Sequence, residues 1–148
     1  MSTKLEELSN ELEHLKTNIK DELMKYLKDF TKEYFTKYPF VNSISWKQYT
    51  NYWNDGEACY FSIQTPEIEF TQEYLEANPT LREELGLEDG ENFIYCEGGG
   101  DEEYISDCNE FYSLLCKYDE YFQLILGDHA KVTITKDKIR TEDYTDHD

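Results

Sequence analysis

The chain has 148 residues, of which 33 are acidic and 14 are basic, so its formal net charge at pH 7 is −19. Seventeen of the acids but only one base, Arg82, lie between Gln48 and Cys116, and this acidic segment carries 16 of the net negative charges. Such a charge excludes direct nucleic-acid binding as the expected function, because phosphate contacts need Lys or Arg. The aromatic content of 16% argues against intrinsic disorder.

The chain shows no sign of a membrane or secretory segment. No apolar run approaches the roughly 20 residues of a membrane helix, and the N-terminus lacks the hydrophobic block of a secretory signal. We therefore expect one cytoplasmic domain, residues 1–148, with no membrane partner and a tail at 144–148. The cysteines lack paired C-x-x-C spacing, so we expect no zinc and mostly buried free thiols at Cys59, Cys96, Cys108 and Cys116.

A long amphipathic helix is predicted over about residues 3 to 37, ended by Tyr38-Pro39. Its apolar stripe continues after a four-residue step through Leu23, Leu27, Phe30 and Tyr34. Two interpretations remain open for the first half: it packs along its own domain, or it projects and pairs with a second copy as a short coiled coil. The residues at 3-4 spacing that would form the dimer contact are Leu5, Leu8, Leu12 and Leu15.

A hairpin is predicted from Ile44 to Ile63. Asp55-Gly56 supplies the positive φ of a tight hairpin turn, which places Thr50 opposite Phe61 and Gln48 opposite Ile63. Trp46 and Ile44 extend the same face. The opposite face, around Tyr49, Trp53 and Tyr60, is aromatic, and we expect a helix to bury it.

The remaining elements are short until a second long helix. Thr71 is predicted to cap a helix through Ala77, and Pro79 to open another that Gly86 closes. A strand follows at Asn92–Cys96, and Gly98–Gly100 is expected to act as a hinge. The predicted second long helix runs from about Glu102 to Leu126, with strands at Lys131–Thr135 and Ile139–Glu142. The fold class is therefore α+β, with an antiparallel sheet of about five strands and two long helices packed on it.

Two segments carry a family resemblance: Trp46–Ile63, WKQYTNYWNDGEACYFSI, and Gly127–Asp148, GDHAKVTITKDKIRTEDYTDHD. They resemble a set of small acidic proteins of uncharacterised function, some from phages and some from cells. That set has a W-x-Q-Y-T-x-Y-x-N-D-G-x-x-C-x-F-like hairpin and a G-D-H-x-x-V-T-like C-terminus. The resemblance implies a folded domain and no activity.

Three interpretations of the acidic segment compete. It forms a solvated surface that keeps the protein soluble, or a cation-dependent binding module, or an anionic surface offered to a basic protein. The loops at Leu87–Glu91 and Gly98–Glu103 do not reproduce the EF-hand pattern, so we predict no metal site. The third interpretation is supported by charge density, since 16 charges correspond to roughly 27 Å of duplex DNA.

Catalytic patterns are absent from the sequence. Two short groups contain residue types that can bind a metal or exchange a proton: Asp128 with His129, and Asp146 with His147 and Asp148. Nothing in the sequence shows that these two groups lie close together in the fold. We predict no catalytic residue and no cofactor. The alternative is a ligand-binding or enzymatic domain with a site between the hairpin and the second long helix.

The function that we expect is that of a non-enzymatic interaction protein. Its acidic segment would mimic nucleic acid and inhibit a basic DNA- or RNA-binding partner, as a phage counter-defence protein would. Association would be fast and salt-dependent. The predicted partner-binding residues are Glu83, Glu84, Glu88, Asp89, Glu91, Asp101, Glu102 and Glu103.

Overall fold

A computed structural model describes residues 2–50, 60–88, 90–96 and 102–143. Within these residues the chain forms five helices and an antiparallel sheet of six strands, which confirms the α+β class. The strand order is β4-β3-β1-β5-β6, and β2 pairs with the last part of β1. The elements are α1 (Ser2–Lys37), β1 (Val41–Thr50), β2 (Phe61–Ile63), β3 (Glu67–Phe70), α2 (Gln72–Ala77), α3 (Leu81–Leu85), β4 (Phe93–Tyr95), α4 (Glu103–Lys117), α5 (Asp119–Leu126), β5 (Ala130–Thr135) and β6 (Ile139–Asp143).

One row of isoleucines crosses the sheet from edge to edge. Ile44 of β1 pairs with Ile68 of β3 and with Ile134 of β5. Ile68 pairs in turn with Ile94 of β4, and Ile134 pairs with Ile139 of β6. Branched side chains in cross-strand register pack well on a pleated surface, so this row defines the buried face of the sheet.

Helices cover the same face. The ring of Phe111 in α4 lies 5.6 Å from the ring of Trp46 in β1. The side chain of Gln48 is fully buried and donates to the Phe122 carbonyl oxygen at the middle of α5, over 3.1 Å. The predicted register of the hairpin is confirmed, because Gln48 lies opposite Ile63 and Thr50 lies opposite Phe61. The predicted Asp55-Gly56 turn lies outside the described residues.

The first helix has a buried half and a projecting half. Residues 3–15 are all exposed, whereas Leu27, Tyr34 and Phe35 belong to the core. Phe30 stacks on Phe111 with ring centroids 4.0 Å apart, and the Tyr34 hydroxyl donates to the Tyr104 carbonyl oxygen. Helix α1 is thus tied to α4 through its second half, and its first half extends beyond the domain as a projecting arm, residues 2–15.

The predicted second long helix is two helices. Tyr118, at φ −115° and ψ 31°, ends α4 and begins α5. The interruption changes the direction of the apolar stripe, so that Leu115 and Phe122 are both fully buried while Tyr118, predicted on the same stripe, is exposed. Sequence analysis also missed strand β3, whose Ile68 and Phe70 are buried between exposed or half-buried neighbours.

The short elements around the acidic segment are close to their predicted positions. Helix α2 ends at Ala77 with Thr71 as its N-cap, and α3 ends at Gly86, which has a positive φ of 69°. Helix α3 begins at Leu81, two residues after the predicted start at Pro79. No helix among the described residues is long and apolar enough to cross a membrane.

The buried amide of Gln48 generates a stability prediction. Its Nε2 donates to the carbonyl oxygens of Phe122 and Gly127, and its Oε1 accepts from Trp46 Nε1 over 3.0 Å. Replacing Gln48 by Met leaves these three groups without that partner and should lower the free energy of unfolding by about 2–4 kcal/mol. Urea denaturation measures the change.

The matched control is Gln72→Met, because Gln72 is exposed and its only described side-chain hydrogen bond, to Glu76, lies at the surface. It should change stability by less than about 0.5 kcal/mol. Equal losses in the two variants would contradict a special role for the Gln48 amide.

Candidate functional site

Tyr74 of α2 marks the place where acidic side chains from separate elements converge. The Tyr74 backbone N–H donates to the hydroxyl oxygen of Thr71 over 3.3 Å, which caps the helix. Its ring stacks on Phe40 with centroids 4.5 Å apart and lies 5.8 Å from the ring of Phe70. These contacts hold α2 against the end of the sheet and fix the position of the Tyr74 hydroxyl.

Two carboxylates act on this hydroxyl. Burial raises the pKa of Tyr74, and the negative charges of Glu102 and Glu84 raise it further. Burial also raises the pKa of Tyr104 to about 12, with further contributions from Tyr74 and Glu102. Glu84 of α3 and Glu102 before α4 are thus near enough for their negative charges to act on the same hydroxyl.

The loop after α3 is held by the single base of the acidic segment. Arg82 Nη1 donates to the carbonyl oxygen of Glu91 over 2.7 Å and to that of Glu88 over 3.3 Å. The Glu88 backbone N–H donates to the Glu91 carboxylate over 3.3 Å. Arg82 therefore orders the loop through backbone oxygens, and it forms no ion pair with a carboxylate among the described residues.

Lys37 neutralises one part of the acidic segment. Its Nζ lies 2.7 Å from a Glu103 oxygen and 3.4 Å from an Asp107 oxygen. The Tyr38 hydroxyl donates to the same Asp107 carboxylate over 2.5 Å. The hydrogen bond to Glu103 is the main reason why the pKa of Lys37 is raised. Glu103 is thus compensated by the first helix, unlike Glu102 next to it.

The structure separates the predicted partner-binding residues into groups. Glu91 is half-buried and bonded within its own loop, and Glu103 is paired with Lys37. Asp89 and Asp101 lie outside the described residues. The exposed residues with no ion pair in the described part of the chain form what we call the acidic end: Glu83, Glu84, Glu88 and Glu102.

The acidic segment as a whole does not form one face. Twelve of its seventeen acids are described. Glu69 of β3 accepts from Asn42 over 2.5 Å, and Glu110 of α4 lies near the hydroxyl of Tyr26. These two belong to the sheet and to the α1–α4 contact. The acidic end is therefore only one part of the acidic segment, with residues in α3, in the loop after it and before α4.

The aromatic face of the hairpin is not buried by a helix as expected. Tyr60 is 74% exposed. Tyr49 is half-buried, lies 6.4 Å from the ring of His129, and lines an open cavity with Lys47 and Lys131. The expectation is wrong for these tyrosines because the helices pack on the face that carries the isoleucine row. Trp53 lies outside the described residues.

Buried apolar side chains fill the region between the hairpin and α4. Trp46, Ile63 and Phe111 are buried there. The Tyr112 hydroxyl donates to the Ile63 carbonyl oxygen over 3.4 Å. The titratable groups that meet beside it are Tyr112 and Cys116, and burial is the main reason why the pKa of each is raised.

Asp128 has a structural role. Its carboxylate accepts from the backbone N–H of Thr50 over 2.7 Å, from the Thr50 hydroxyl over 2.5 Å and from the His129 backbone N–H over 2.8 Å. Burial raises the pKa of Asp128, but the hydrogen bonds from Thr50 and His129 outweigh burial and hold it below its usual value. Asp128 thus joins the end of β1 to the turn before β5, where His129 has a positive φ of 55°.

Metal ligation finds no support in the described residues, where no group of three His, Cys, Asp or Glu could hold an ion. His147, Asp146 and Asp148 lie outside them. Cys96 and Cys108 are buried, as expected, and Cys59 lies outside the described residues. Cys116 is exposed, which is consistent with the expectation that most, and not all, of the cysteines are buried.

Sequence analysis missed two residues that shape the acidic end, Tyr74 and Lys37. No sequence signal marks either, because each acts through a contact between distant elements.

Comparisons with protein-family models, with curated proteins and with solved structures find no match to this chain.

The lowered pKa of Asp128 predicts a pH-dependent stability. A carboxyl whose folded pKa lies below its unfolded value of about 3.9 stabilises the fold above that pH, and this stability is lost as the pH falls through the folded pKa. Asp128→Asn should therefore destabilise the protein at pH 7, and the difference from the unsubstituted protein should narrow below about pH 4. Urea denaturation at both pH values provides the measurement.

Asp137→Asn is the control, since Asp137 is exposed and forms no ion pair among the described residues. A pH-independent loss in Asp128→Asn would show that the carboxylate charge is not what stabilises this turn.

Proposed function

We propose that the protein is a non-enzymatic interaction protein whose acidic end engages a basic, nucleic-acid-binding partner and blocks it. The observation that carries the proposal is that four acids of the acidic segment, Glu83, Glu84, Glu88 and Glu102, are exposed and form no ion pair among the described residues, and that the charges of two of them, Glu84 and Glu102, act on the same Tyr74. Carboxylates held on helix termini and an ordered loop present charge in a fixed arrangement, as phosphates do along a duplex. The partner's Lys and Arg side chains would meet them as they meet nucleic acid.

The charge of the whole chain supports this role. A net charge of −19 produces a long-range field that attracts a basic surface and accelerates association. Close carboxylates destabilise the unbound protein through mutual repulsion, and a basic partner relieves that repulsion. This relief favours a binding role over a surface that serves only solubility.

Not all predicted residues contribute equally to the proposed contact. Glu103 is compensated by Lys37, so it adds less to the field than Glu102. Glu91 serves mainly to order the loop that presents Glu88. Asp89 and Asp101 adjoin Glu88 and Glu102 in the sequence, and the proposal includes them.

The setting of this function is the cytoplasm. The three described cysteines form no disulfide with one another, which suits a reducing compartment. A phage protein that counters a host defence nuclease or repressor would act there, because its basic target handles nucleic acid in the same compartment.

We also propose that the projecting arm joins two copies. Leu5, Leu8, Leu12 and Leu15 are all more than half exposed, at 70%, 52%, 52% and 56%. The arm and the next five residues hold three Lys and four Glu, so two arms can approach without the repulsion between the acidic domains. In a parallel pair, Glu11 of one arm would also face Lys16 of the other.

Charge reversal tests the partner contact. In the variant Glu83→Lys, Glu84→Lys, Glu88→Lys and Glu102→Lys, capture of basic proteins from a host lysate by the immobilised chain should be lost. Captured proteins should also lose nucleic-acid binding when the unsubstituted chain is added. Binding to the unsubstituted chain should fall by orders of magnitude between low and high salt.

The matched control reverses four exposed acids on α1: Glu6, Glu7, Asp21 and Glu22. It changes net charge by the same amount and should retain the partners. If both variants lose the same proteins, the net charge and not the acidic end is responsible. If captured proteins still bind nucleic acid in the presence of the chain, the mimicry is refuted.

The dimer is tested separately with Leu8→Glu combined with Leu12→Glu. Sedimentation equilibrium should show a concentration-dependent dimer for the unsubstituted chain and a monomer for the variant, because two charges enter the apolar stripe of each arm. Leu124→Glu is the control, since Leu124 is a comparably exposed leucine on α5. A monomeric unsubstituted chain at high concentration would overturn this part of the proposal.

A further inference from the structure

A groove lies between helix α1 and the turn that joins β5 to β6. Its cavity is about 410 Å³, within the range of small-molecule sites. Met24 and Ile139, both half-buried, supply apolar surface, and the buried Thr31 also lines the groove. The groove is also lined by four lysines and one acid: Lys28, Lys32, Lys136, Lys138 and Asp137.

Local structure brings the lysines together. Lys28 and Lys32 are four residues apart on α1, so they lie on the same face of the helix. In the turn, the Thr135 backbone N–H donates to the Lys138 carbonyl oxygen over 2.8 Å, which closes the chain around Lys136. The two pairs of lysines therefore reach the same groove from two elements that are distant in sequence.

The charge of this groove is opposite to that of the molecule. Its lining carries a formal charge of +3, in a chain whose net charge is −19. None of the four lysines forms an ion pair in the part of the chain that the structure describes, where the paired bases are Lys16, Lys37, His129 and Arg140. Acids outnumber bases more than twofold in the chain. Even so, these four lysines form no ion pair with a carboxylate among the described residues.

The four lysines are exposed and line one groove, and a bound anion offsets the repulsion among their ammonium groups. Lys is a compact point charge that suits a phosphate group, and an ammonium donates three hydrogen bonds. Met24 and Ile139 add apolar contact for a ring or chain attached to the phosphate. A polyanion is disfavoured, because a groove of this size admits few phosphates and the rest would meet the negative field of the domain.

We propose that this groove binds a small phosphate-bearing ligand, with the phosphate between the lysines of α1 and those of the β5–β6 turn. The apolar part of the ligand lies on Met24 and Ile139. The site is separate from the acidic end and does not depend on the protein contact proposed there.

Calorimetric titration at low ionic strength tests the site with two probes, inorganic pyrophosphate and adenosine diphosphate. Both should bind saturably, and adenosine diphosphate should bind more tightly if the apolar floor takes part. Equal affinities would indicate a free phosphate anion as the ligand, which leaves the lysine site intact. Lys32→Gln combined with Lys138→Gln should weaken pyrophosphate binding by at least about tenfold.

The control is Lys4→Gln combined with Lys117→Gln, which removes the same charge at exposed positions away from the groove lining. It should bind pyrophosphate almost as the unsubstituted chain does. Absence of saturable binding, or equal weakening in the two variants, would overturn the proposal. Tighter binding of a short DNA duplex than of pyrophosphate would also overturn it, because the ligand would then be a polyanion. Unchanged thermal unfolding of each variant shows that the fold is retained.

Discussion

The fold depends on the one-sided burial of its central strand. Strand β1 places Ile44 in an isoleucine row that spans five strands, and it places Trp46 and Gln48 on the same face. Because side chains alternate along a strand, a shift of one residue would move all of these to the other face. Helices α4 and α5 and the second half of α1 therefore pack on that face, and many of their charged residues are exposed to solvent.

The order of the strands in the sheet places the acids of α2 and α3 and the lysines of the β5–β6 turn on opposite sides of the molecule. Helices α2 and α3 follow β3 in the chain and precede β4, so their acids lie with the β3–β4 side of the sheet. The turn between β5 and β6, with its lysines, lies at the other side. A chain that is strongly acidic in sequence thus becomes a molecule with an acidic end and a separate basic groove. The two proposed sites are consequences of the same topology.

The elements that sequence predicts well are those with a complete local signal. The hairpin register follows from alternation and from Asp55-Gly56, and the long first helix follows from its leucine spacing. Strand β3 was missed because four residues between Pro66 and Thr71 are too few to show a period. The break at Tyr118 was missed because the apolar spacing continues through it.

The sequence predicts where the acidic segment lies, but not which of its acids are exposed and without an ion pair. Counting charges identifies the segment, yet Glu102 and Glu103 are adjacent in sequence and differ in their surroundings. Lys37 pairs with Glu103, whereas Glu102 forms no ion pair among the described residues and its charge raises the pKa of Tyr74. Such differences arise from contacts between α1, α2 and α4, which no local pattern encodes. The basic groove was missed for the same reason, because its lysines come from opposite ends of the chain.

The outermost strands of the sheet have consequences for behaviour in concentrated solution. Strand β4 has only three residues, and β6 carries Arg140, Glu142 and Asp143 among its five. A short edge strand such as β4 and a charged edge strand such as β6 are poor templates for backbone pairing with another chain. Backbone pairing of a second chain with either of these two strands is therefore disfavoured.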